Sequence, residues 1–87
     1  MKKLVEVVDV EGEGLESLLG EQVLLFALNY IYTGKLVGVN TVFVKLEDAK
    51  IVYETGPFSG PYKDAQALPS KEWYVQLSAV ESFGKGR

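Results

Sequence analysis

Eighty-seven residues without a single cysteine or histidine form one small domain, and they exclude disulfides, thiolate metal sites and histidine-based catalysis. The net charge of −3 argues against generic electrostatic capture of nucleic acid. A lone core of this size is marginal, and of the usual remedies only oligomerisation remains open.

The chain opens with an arm, residues 1–13, in which LVEVVDV (4–10) reads as an edge strand. Six acids (Glu6, Asp9, Glu11, Glu13, Glu16 and Glu21) and two lysines fall in residues 1–21, against six acids and seven bases in 22–87. The acidity is therefore concentrated at the N-terminus and the body is nearly neutral. Glu6 and Asp9 interrupt the apolar stretch that a signal peptide needs. No charge-free apolar run approaches the ~18 residues of a membrane span. A soluble, cytoplasmic protein without membrane contact is expected.

Residues 14–20 predict a short helix, with Leu15, Leu18 and Leu19 on one stripe and Gly20 as its stop. The almost uniformly apolar QVLLFALNYIY (22–32) predicts a first strand covered on both faces. KLVGVN (35–40) is a second strand that Gly38 allows to bend, and Asn40-Thr41 a tight turn. A third strand follows over 42–54, with Val42, Val44 and Leu46 on one face and Thr41, Phe43, Lys45 and Glu47 on the other. It is too long to stay flat and is expected to bend near Asp48-Ala49. Residues 55–72 hold all three prolines and read as a long loop of the kind that carries contacts. A fourth strand starts at Trp73, a short fifth runs from Val80 to Phe83, and 84–87 form a tail.

The fold expected is mainly β: a short N-terminal helix, then a five-stranded, strongly bent antiparallel open barrel. No enzymatic activity, cofactor or metal is expected. Glu47 and Asp48 are neighbours on a strand and point to opposite faces, so they do not converge as a catalytic pair. GPFSGP (56–61) lacks the lysine and helix of a phosphate loop. Ser59, Ser70, Ser78 and Ser82 have no histidine base.

Gly34, Leu36, Gly38, Val39, Asn40, Phe43, Leu46, Asp48 and Ala49, followed by LSAVESF (77–83), resemble the two signatures of the Sm-like small-barrel family, which includes the Sm, LSm and Hfq proteins. The resemblance covers about residues 14–54 and 73–83. Divergent members occur in phage-associated and metagenomic sequences, which implies a viral or mobile-element origin. Asn40 stands where the family has Asp. The base-reading Asn has no counterpart, because Val44 follows Phe43 directly. The Arg-Gly pair falls on Leu77 and Ser78. The resemblance thus implies the barrel and its ring assembly, with a degenerate uridine pocket.

On that reading Phe43 stacks on a base of single-stranded RNA and Asn40 hydrogen-bonds it, with Lys35 and Lys45 beside the phosphates. Each has a plainer alternative: core or interface for Phe43, turn geometry for Asn40, a solvated strand face for the lysines. Tyr62 and Lys63 are candidate loop contacts. Trp73, Val75, Leu77, Val80 and Phe83 are the candidate oligomer interface. The implied partners are further copies in a ring of five to seven subunits, single-stranded RNA, or a protein partner met through the 55–72 loop.

Overall fold

The computed structural model describes residues 13–86. The arm's first twelve residues, including the strand expected at 4–10, and Arg87 lie outside the described residues. Among the described residues six strands make one antiparallel sheet: β1 (Gln22–Ala27), β2 (Ile31–Val39), β3 (Phe43–Glu54), β4 (Asp64–Ala67), β5 (Glu72–Gln76) and β6 (Val80–Lys85). The order is β4-β3-β2-β1-β6, and β5 also pairs with β3.

Four expectations need correction. The helix over 14–20 is a single 3₁₀ turn, Leu15–Leu18. Side chains at i and i+3 eclipse in that geometry, so Leu15 and Leu18 pack on the core while Leu19 is left exposed. The strand expected over 22–32 is two strands, separated where the Ala27 N–H donates to the Tyr30 carbonyl at 3.0 Å. The apolar turn residue Leu28 hid that break. The loop over 55–72 is split into 55–63 and 68–71, because β4 occupies Asp64–Ala67 and β5 starts at Glu72. Gly84 and Lys85 belong to β6 rather than to a tail.

β4 and β5 lie end to end along one edge of β3. Lys50 to Glu54 pair with β4 and Phe43 to Glu47 with β5. Between them the Asp48 N–H donates to the Lys71 carbonyl (2.8 Å) and the Leu68 N–H to the Ala49 carbonyl (3.0 Å). The six strands are thus five lines of strand, one of them broken. At the break Asp48 takes a left-handed φ of 53°, which the short side chain of Asp tolerates. The β2–β3 register passes from Thr33↔Lys50 to Lys35↔Glu47, so Asp48 and Ala49 together oppose Gly34 in a β-bulge. A second bulge, at Val37, precedes Gly38.

The connection from β5 to β6 forces the sheet to roll. Four strand spacings of about 4.8 Å would put these strands roughly 19 Å apart in a flat sheet. Only the 3₁₀ turn Leu77–Ala79 joins them, and even fully extended it reaches no more than about 14 Å. The turn is tied to both sides: the Leu77 N–H donates to the Val42 carbonyl at 2.8 Å, and the Leu28 N–H to the Ala79 carbonyl at 2.9 Å. Rolling lets Val23 and Leu25 (β1), Leu36 (β2), Val44, Leu46 and Ala49 (β3) and Val75 (β5) form one core cluster. Each large member contributes about 1.5–3 kcal/mol by leaving water. The buried Thr33 hydroxyl is satisfied by the Val23 carbonyl at 2.9 Å.

A Cβ on Gly34 would meet the Ala49 Cα at 3.1 Å and the Glu47 carbonyl oxygen at 3.2 Å, both backbone-fixed. Gly34→Ala should therefore lower stability by about 1–3 kcal/mol in urea unfolding. Gly60→Ala, whose Cβ meets nothing nearer than 3.9 Å, should leave the midpoint in place. Equal midpoints for the two variants would contradict the close approach.

Candidate interaction face

The outer face of β3 is written by alternation. Val44 and Leu46 point into the core, so Phe43, Lys45 and Glu47 point out. In register across β5 they face Gln76, Tyr74 and Glu72. On the other side Lys35 of β2 stands opposite Glu47.

Asn40 opens the β2–β3 turn. Its Oδ1 accepts the N–H groups of Val42 (2.7 Å) and Phe43 (2.8 Å), and its own N–H donates to the Phe43 carbonyl at 3.1 Å. This is the side-chain-closed turn that Asn favours. The oxygen that could read a ligand is thus committed to the backbone, and the side-chain NH₂ is what Asn40 has left to offer. Phe43, held by this turn, is half-buried. It meets Tyr74 edge to face, with ring centroids 4.9 Å apart at 84°, an arrangement worth about 0.5–1.5 kcal/mol. Tyr74 is 54% exposed, so the pair presents aromatic surface to solvent.

Lys45 is not a free cation. Its Nζ lies 2.9 Å from Glu72 Oε2 and 5.8 Å from the centre of the Tyr74 ring. The hydrogen bond to Glu72 and then the Glu72 charge hold its pKa above the ordinary lysine value. Lys45 therefore stays charged through neutral and mildly alkaline pH. Glu47 and Glu72 face each other across β3 and β5, a like-charge pair that is unfavourable alone and that Lys45 offsets. With Lys35, the face carries two positive and two negative side chains.

The other expected site residues are spread differently. Tyr62 and Lys63 belong to the opposite end of β3: Lys63 pairs with Glu54 at 3.1 Å, and the Tyr62 hydroxyl lies 3.4 Å from Thr33 Oγ1. Together with Lys50, Ser59 and Asp64 they line an open cleft, separate from Asn40 and Phe43. Of the five interface candidates, Val75 is a core residue and Trp73, Leu77 and Val80 pack against that core. Phe83 alone of the five is largely exposed, at 44%. Sequence reasoning missed Tyr74 and Glu72. The alternation in EWYVQ, with Trp73 and Val75 inward, was the available signal; the register with β3 was needed to put them beside Phe43 and Lys45.

Among the described residues no cluster of three or more acids is arranged to hold a metal, and no helix is long and apolar enough to cross a membrane. No protein-family model and no curated protein matches the chain.

Asn40→Ala removes an acceptor from two N–H groups and should cost about 1 kcal/mol in urea unfolding. Asn40→Asp, which keeps the acceptor, should cost well under half of that. Equal losses would show that the side-chain oxygen does not hold the turn.

Proposed function

We propose that this chain is a divergent Sm-like module that closes head to tail into a ring and presents the Asn40–Phe43 turn to single-stranded RNA. The observation that carries the assembly is the pair of open edges. Among the described residues no strand pairs the outer side of β5 or of β6. The Leu77 N–H reaches the carbonyl of Val42, the residue before β3, and the Gly86 N–H reaches the Gln22 carbonyl of β1. By antiparallel alternation the backbone groups of Glu72, Tyr74 and Gln76 in β5, and of Phe83 and Lys85 in β6, then point away from the sheet. Unlike edges on one subunit favour a head-to-tail contact, which closes when the rotation allows.

The RNA reading rests on Phe43 and Tyr74 as a stacking surface, with the Asn40 NH₂ as a donor beside it. A second reading, a ring serving protein contacts, is favoured by the balanced charge of the same face. On that reading the 55–63 loop, with Phe58 exposed, is the contact surface.

Gln76 has φ −64°, which proline adopts without strain. Gln76→Pro therefore removes an outward N–H and spares the bonds to β3. Light scattering should give the wild type a mass of five to seven 9.6 kDa chains, and Gln76→Pro a monomer with unchanged far-ultraviolet circular dichroism. A monomeric wild type at tens of micromolar would end the ring reading. Phe43→Ala should weaken binding of labelled oligo-U on the order of ten- to hundredfold without dissociating the ring, the scale of one stacked base. Unchanged oligo-U affinity would leave the protein-contact reading.

A further inference from the structure

We propose that Glu72 is an intramolecular stand-in for phosphate: it holds Lys45 back from the interaction face, and RNA binding at that face requires its displacement. The inference rests on the RNA reading above and adds the group that sets its strength.

Three observations carry it. First, the cation nearest the aromatic pair is already occupied, with Lys45 Nζ at 2.9 Å from Glu72 Oε2. A carboxylate and a phosphate oxygen compete for the same donors on an ammonium group. Second, Glu72 is on β5 and Lys45 on β3, and they meet diagonally because Lys45 is in register with Tyr74 and Glu47 with Glu72. Lys45 Nζ is thereby kept above the Tyr74 ring, beside the surface where a base would stack. Third, release has a built-in cost. Without Lys45, Glu47 and Glu72 face each other as like charges, and Lys35, opposite Glu47, is the remaining cation on the face. A phosphate that takes Lys45 must therefore also overcome the repulsion of two carboxylates. The contact is weak enough to exchange, because the Glu72 side chain is about half exposed and pairs of that kind are marginal in water.

The test compares wild type, Glu72→Gln, Lys45→Met, the double variant and Phe43→Ala, each confirmed folded by circular dichroism and matched in mass to the wild type. Fluorescence anisotropy with labelled oligo-U and with an abasic oligonucleotide of equal length is read over a salt series. Glu72→Gln should raise affinity for both probes about two- to fivefold at low salt, the scale of one exposed ion pair. It should steepen the logarithmic salt slope by about 0.7, one further phosphate contact to a single strand. In the Lys45→Met background most of that gain should vanish.

A gain that is equally large without Lys45 would overturn the proposal, since it would report net charge alone. So would the absence of a gain while Phe43→Ala still weakens oligo-U, and in that case the RNA reading survives. A Lys45-dependent gain on the abasic probe, with oligo-U indifferent to Phe43→Ala, would keep the Glu72 contact and remove the base-stacking site. Failure of every variant to bind either probe at low salt would remove both.

Discussion

The absence of a side chain at Gly34 is what allows β3 to serve two partners. With the Ala49 Cα only 3.1 Å from where a Cβ would be, β2 and β3 come close enough for Asp48 and Ala49 to bulge against a single residue. Asp48 turns left-handed there, and the strand leaves the bulge in a new direction. Before it, β3 pairs with β5 and contributes Val44 and Leu46 to the core. After it, the same strand pairs with β4.

Much of this could be read from the residues, because the relevant signals are local. A long strand with Asp48 in its middle announces a bend, and the glycines in the strand before it announce curvature. The alternation from Phe43 to Glu47 gives the two faces of β3 without further information. What escaped depends on partners distant in sequence. Asp64–Ala67 has poor strand formers and becomes a strand because β3 offers it a template. Leu28 and Tyr30 extend an apolar run through a turn whose only polar residue is Asn29. The leucine spacing over residues 14–20 predicts a helix, but the segment is too short to sustain an α-helix and closes as the 3₁₀ turn Leu15–Leu18.

The candidate face shows the same division. Phe43 and Lys45 could be placed on the outer surface from alternation alone. What they touch could not, since Tyr74 and Glu72 reach them through a register of more than twenty-five residues' separation. That register changes the chemistry. A lysine that sequence reads as available for phosphate is ion-paired, and an asparagine that reads as a hydrogen-bonding group has its oxygen turned to its own backbone. The aromatic pair, with Tyr74 54% exposed, keeps part of its surface open to solvent.

The open edge and the candidate face share β5, so on the proposed reading assembly would be tied to recognition. Tyr74 sends its side chain to the face and, by alternation, its backbone groups to the edge. A neighbouring β6 added along β5 would fix the backbone of Glu72, Tyr74 and Gln76 together. That restricts the ring of Tyr74 and the carboxylate of Glu72, the two groups that contact Phe43 and Lys45. Ordering them in such an assembly would lower the entropy lost when a ligand is stacked or an ion pair exchanged. An isolated subunit would carry the same side chains on a less constrained strand. On the proposed reading the strength of the face would then depend on the assembled edge as well as on the residues on it.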